Sequence, residues 1–141
     1  YLLDSGQSEA LFGEVSRRVF RNGGPCDRQI DYPDARQAVA AIRADGGYAV
    51  LAHPGQQQNF GLVPALVDAG LAGLELWHPS NSEEDRARIR ELAARHGLFC
   101  TGGSDFHGAY EAGRDRLGAF LAPEDCPLIG TYEALEKEAG R

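Results

Sequence analysis

The chain has no methionine and a single tryptophan among its 141 residues, and it opens on Tyr1-Leu2-Leu3-Asp4. A natural product of translation ordinarily begins with Met, so the sequence reads as a fragment or as one piece of a longer polypeptide. Long hydrophobic runs are missing too. None approaches the roughly 18 residues that a membrane helix needs, and no signal-peptide pattern stands at the start. The expectation is a cytoplasmic protein with no membrane association. Cysteine is scarce and odd in number, with Cys26, Cys100 and Cys126 lacking any C-x-x-C spacing. Reduced thiols are expected, and a disulfide framework is not. Basic residues are outnumbered 14 to 21, leaving a net charge of −7. That balance argues against a broad basic face for gripping duplex DNA. It still suits a small anionic substrate if a metal supplies positive charge locally.

What is present fits one ordinary globular domain, with 43% apolar and 25% charged residues. Leu11, Val15, Arg18 and Val19 predict a helix from about Ser8 to Arg21, ended by Asn22-Gly23-Gly24. After a turn-rich connector, Asp34 reads as the N-cap or a first-turn acid of a helix to about Ala44, with Ala35, Val39 and Ile42 as its apolar stripe. Tyr48-Ala49-Val50-Leu51-Ala52 reads as a strand buried on both faces. A helix with Leu62, Leu66, Val67 and Ala69 on one side follows the loop Gln56 to Gly61. Leu74 to Trp77 forms the next strand. Ser80-Asn81-Ser82 then offers caps for a helix that is acidic at its start and carries Arg95 and His96 at its end, complementing the helix dipole. Gly97-Leu98-Phe99-Cys100 leads into a third strand. A further strand is plausible at Leu117-Gly118-Ala119-Phe120, and Thr131 caps a last helix to about Glu138. Alternating helix and strand, with a polar loop after each strand, indicates parallel α/β architecture.

Three of the four histidines sit where strands end: His53 after Ala52, His78 after Trp77, and His107 two residues beyond Asp105. Carboxyl-terminal strand ends share one rim in parallel α/β folds, so residues distant in sequence can converge there. In an extended segment Asp105 and His107 point to the same side. Imidazole and carboxylate donors of this kind suit zinc, manganese or iron. Asp105 capping the next segment, with His107 on the surface, is the competing reading. Convergence with His53 tips the balance to metal ligation. His78 either donates to a substrate phosphate or bonds a neighbouring loop. Glu75 either supports the ligands from behind or is held by an arginine in the wall. Gly102, Gly103 and the Ser104 hydroxyl either offer donors to an oxyanion or simply make a tight turn. His96 reads as a helix-end surface residue.

Three segments occur in order: Gly46-Gly47-Tyr48-Ala49-Val50-Leu51-Ala52-His53-Pro54-Gly55, Gly70-Leu71-Ala72-Gly73-Leu74-Glu75-Leu76-Trp77-His78-Pro79 and Thr101-Gly102-Gly103-Ser104-Asp105-Phe106-His107-Gly108. Together they resemble the carboxyl-terminal half of the PHP (polymerase and histidinol phosphatase) phosphoesterases, chiefly the branch acting on nucleotides and RNA 5′ ends. The likeness spans about residues 34 to 120. It implies the second half of a distorted (β/α)7 TIM-like barrel over 34–141, with 1–33 belonging to an inserted helical region and its connector. It implies two or three divalent ions (Mn, Zn or Fe), with His53, Asp105 and His107 as ligands. The implied chemistry is hydrolysis of phosphate esters, such as 3′,5′-bisphosphates or RNA 5′ ends, by metal-activated hydroxide. Asp105 would orient or deprotonate the water, and His78 and Ser104 would bind the phosphoryl group.

The family's opening H-x-H motif and its other early ligands are absent, so this chain alone is expected to be inactive. Its partner would be the amino-terminal half of the same barrel, on a separate or cleaved chain. A histidinol-phosphate-type phosphatase and a non-catalytic half-domain are the alternatives.

Overall fold

A computed structural model describes residues 1–10, 13–21, 23–108, 117–122, 137 and 140. Backbone packing divides the chain into two units: Tyr1–Tyr32 with residues 106–108, and Pro33–Asp105 with residues 117–122. In the first unit helix α1 covers only Glu14–Val19, shorter than its pattern predicts. Residues before Ser8 fold into turns closed by Ser5 N–H to Tyr1 C=O and Gln7 N–H to Leu2 C=O, and Gly13 becomes the cap. Leu11 and Asn22 lie outside the described residues.

The second unit is built on βα units. Helix α2, Ala35–Ala44, starts at Asp34, whose carboxylate accepts the Arg36 backbone N–H at 2.9 Å. Of the predicted stripe only Val39 is buried; Ile42 remains 43% exposed. Strand β1 is short, Val50–Leu51, and is followed by the one-turn helix α3, Pro54–Gln57. A 3₁₀ turn at Phe60–Leu62 leads into α4, Val63–Asp68, which buries Val63 and Leu66 while Leu62 stays exposed. Strand β2 is Gly73–Trp77, helix α5 is Glu83–His96 and strand β3 is Phe99–Gly102.

The strands form a parallel sheet in the order β1-β2-β3. Helix α5 packs on β2 and also meets α3 and α4. It presents Ile89, Leu92 and Ala93, a spacing of three and four that puts them on one face. They join Leu74, Leu76, Leu98 and Cys100 in a common core. Gly73 has no room for a side chain, since a Cβ there would stand 2.6 Å from the Phe99 ring. At the far end of β2 the pairing skips Leu76: Glu75 faces Thr101 and Trp77 faces Gly102. This bulge releases backbone carbonyls from the ladder. Leu117–Phe120 forms turns and bends rather than the expected strand. The final helix capped at Thr131 lies outside the described residues, apart from Lys137.

Both predicted caps invite measurement. At α5, Ser82 and Asp85 form a reciprocal capping box: the Asp85 N–H donates to Ser82 Oγ at 3.1 Å and the Ser82 N–H to Asp85 Oδ2 at 3.0 Å. The Ser82 hydroxyl, with help from Gln58, holds the Asp85 carboxyl below its usual range. Ser82→Ala is expected to cost about 1 kcal/mol in urea unfolding. At α2, hydrogen bonds from the Arg36 side chain and backbone lower Asp34 from 3.8 to about 2. A depressed carboxylate stabilises fully above 3.8 and loses that contribution as pH falls through about 2. Asn caps almost as well as Asp, so Asp34→Asn isolates the charge. Thermal melts should show the variant slightly less stable at neutral pH, the gap closing below pH 3.8 as the wild-type carboxylate titrates.

Candidate active site

Each strand of the second unit delivers a polar residue at its carboxyl end. His53 follows β1 with φ 30° and ψ 56°, a left-handed conformation that L residues other than glycine rarely adopt. Its backbone N–H donates to Glu75 Oε2 at 2.7 Å. Glu75 therefore supports the histidine from behind, the first of the two roles its position suggests. Nδ1 of His53 is buried and has no hydrogen-bond partner among the described residues. Leaving such an atom unsatisfied costs about 1–3 kcal/mol, so the site calls for a partner beyond the described residues.

His78 follows β2 and is fully buried. Its ring centroid stands 5.2 Å from that of His53, tilted by 53°. The Ser80 N–H donates to His78 Nδ1 at 3.0 Å. With Nδ1 accepting, a neutral ring carries its proton on Nε2. Nε2 lies 3.7 Å from Asp105 Oδ2. Asp105 is itself left-handed, φ 52°, just past the loop that leaves β3. The structure thus brings His53, His78 and Asp105 to one end of the sheet. Ser104 beside them is buried. His107 belongs to the first unit, and its side chain is exposed.

Sequence reasoning passed over Asn81 as more than one of several cap candidates. It is 2% exposed and spends its whole carboxamide locally. Nδ2 donates to the carbonyls of Glu75 and Leu76, at 3.0 and 3.2 Å, which the bulge sets free. Oδ1 accepts the Gly55 N–H at 3.0 Å. The signal was present in His78-Pro79-Ser80-Asn81-Ser82, where three cap-type residues follow one another although a helix needs only one. The glycines of the third motif also acquire a reason: a Cβ on Gly102 would meet Ala122 N at 2.7 Å, and one on Gly103 would meet Glu75 Oε1 at 2.9 Å.

Nitrogen and oxygen donors at one rim, with one buried imidazole nitrogen unsatisfied, fit a divalent metal. Among the described residues no group of three or more His, Cys, Asp and Glu side chains assembles to hold one. A complete coordination sphere therefore needs donors beyond those described.

No protein-family model matches the chain. A phosphoribosyl 1,2-cyclic phosphate 1,2-diphosphodiesterase of Eggerthella lenta is 54% identical over 101 residues, 72% of this chain and 38% of that protein. A 3′,5′-nucleoside bisphosphate phosphatase of Chromobacterium violaceum is 35% identical over 120 residues, 82% of this chain and 42% of that protein. Among solved structures, a Bifidobacterium adolescentis protein assigned as a metal-dependent phosphoesterase superposes with a TM-score of 0.75 at 30% identity, over 99% of this chain and 50% of that one. The chain is thus a homologue of phosphoesterases, one of them assigned as metal-dependent. More narrowly, the two relatives named above act on a phosphoribosyl cyclic phosphate and on nucleoside bisphosphates, consistent with the PHP resemblance carried by the three sequence motifs. It spans half or less of the length of these relatives.

Proposed function

We propose that this chain is the carboxyl-terminal half of a PHP-type (β/α)7 barrel and contributes part of the active site of a cytoplasmic phosphoesterase acting on nucleotides or RNA 5′ ends. The observation that carries the reading is the meeting of His53, His78 and Asp105 at parallel strand ends, within a sequence 54% identical to a cyclic phosphate diesterase. His53, Asp105 and His107 would hold two or three divalent ions, manganese, zinc or iron, together with ligands from the amino-terminal half. When bound, such ions supply Lewis acidity and ready a water for attack. Asp105 would orient that water or accept its proton. His78, its Nε2–H fixed by the Ser80 contact, would donate to a phosphoryl oxygen, with the Ser104 hydroxyl as a further donor. Metal charge offsets the substrate's, which reconciles a net charge of −7 with an anionic ligand.

The high identity to the Eggerthella lenta enzyme favours a second substrate class, cyclic phosphodiesters of ribose, alongside 3′,5′-bisphosphates. The test is a panel assayed with the full barrel loaded with Mn²⁺: phosphoribosyl 1,2-cyclic phosphate, nucleoside 3′,5′-bisphosphates, 5′-phosphorylated RNA and histidinol phosphate. Hydrolysis of one of the first three, abolished by chelator, is expected. Turnover of histidinol phosphate alone would move the site to small-molecule phosphatases. A folded, metal-loaded protein inert toward all four is a non-catalytic module.

A further inference from the structure

We infer that Glu75 and Asn81 are positioning residues that together lock the backbone on both sides of the His53 imidazole. His53 occupies a left-handed conformation immediately before Pro54. For an L residue this costs on the order of 1–2 kcal/mol relative to ordinary backbone. Such a conformation persists only when its surroundings over-determine it. Here two acceptors from the β2–α5 segment do so. The Glu75 carboxylate takes the N–H of His53 itself at 2.7 Å. The Asn81 carboxamide takes the N–H of Gly55, two residues on, at 3.0 Å. Asn81 cannot drift, because its Nδ2 is pinned to the Glu75 and Leu76 carbonyls.

Two glycines make room for the clamp. A Cβ on Gly55 would lie 2.5 Å from Asn81 Oδ1 and 2.8 Å from Asp85 Oδ2. A Cβ on Gly103 would lie 2.9 Å from Glu75 Oε1. The imidazole therefore leaves the chain at an angle dictated by β2 and the loop after it. The direction of His53 Nδ1, which has no partner among the described residues, is fixed before any ligand arrives. Neither Glu75 nor Asn81 needs to touch that ligand. The effect on metal binding rests on the phosphoesterase reading, whereas the clamp itself does not.

Amide hydrogen exchange of the chain, read by NMR, tests the clamp. In the wild type the His53 and Gly55 amides should be protected; Glu75→Ala should release the first and Asn81→Ala the second. Glu75→Gln, whose side-chain carbonyl still accepts, should restore His53 protection. Calorimetric titration of the full barrel with Mn²⁺ alone provides the second readout. Affinity should fall about 10–100-fold in Glu75→Ala and recover in Glu75→Gln, the size usual for partners that orient a ligand. Gly103→Ala, which displaces the carboxylate without removing it, covers the case in which Glu75→Ala does not fold. Fast exchange at His53 in the wild type, or unchanged exchange and Mn²⁺ affinity in both Glu75→Ala and Gly103→Ala, overturns the inference. If no variant, wild type included, binds Mn²⁺, the phosphoesterase reading fails and the exchange data still decide the clamp.

Discussion

His78→Ala is expected to lower phosphoester turnover of the full barrel by about 10²–10³-fold, the usual cost of removing one preorganised donor, with Mn²⁺ affinity unchanged. The prediction follows from which nitrogen carries the proton. Nδ1 is occupied as an acceptor by the Ser80 N–H, so Nε2 holds the hydrogen and cannot also offer a lone pair to a metal. The ring is fully buried, and a donor held there without solvent competition is worth more than one at the surface. On the proposed reading, in which its unsatisfied nitrogen ligates the metal, His53→Ala should lose metal and turnover together. Steady-state kinetics and Mn²⁺ calorimetry on both variants separate the two roles. Loss of metal on His78→Ala would show that the tautomer inferred from Ser80 is wrong.

Leu74→Ala is expected to destabilise the second unit by about 2–5 kcal/mol, the range for a buried leucine cut back to its methyl. Leu74 lies fully buried at the centre of β2, paired with Leu51 on one side and Cys100 on the other, under the apolar face of α5. Its two strand neighbours and the helix leave it little freedom to collapse into the gap. Val50→Ala provides the contrast, since Val50 is 37% exposed on the outer strand and should cost far less. Trp77 is the chain's single tryptophan and belongs to β2, so its fluorescence in urea reports on this unit alone. Equal losses in the two variants would contradict the burial described here.

Local chemistry was legible in the sequence wherever it acts through the nearest few residues. Asp34 and Ser82 cap the helices they were expected to cap, and Gly97 ends α5 with φ 65°. The three strands fall where the apolar runs predicted. The parallel arrangement then brings two of the histidines and Asp105 to the same end. What depended on the neighbours of a strand was not legible. Tyr48 to Ala52 reads as doubly buried, yet β1 pairs only with β2 among the described residues, and of that run only Ala49 is buried. The apolar face of α4 begins at Val63 rather than Leu62, because the 3₁₀ turn at Phe60 rotates the chain before the helix starts.

The roles of Glu75 and Asn81 were hidden for a different reason. Both work by receiving or reaching backbone groups of another segment, and no periodicity announces a side chain bonded to a main-chain amide some two dozen residues away. The left-handed conformations of His53 and Asp105 were equally invisible, since neither residue type advertises it as glycine does.

Because the strands are laid down in the order in which they occur, every sheet contact among the described residues joins segments roughly two dozen residues apart, a short and cheap closure for a parallel sheet. On the ribosome, β1 can pair with β2 as soon as the intervening helix emerges, and β3 can add to that template afterwards.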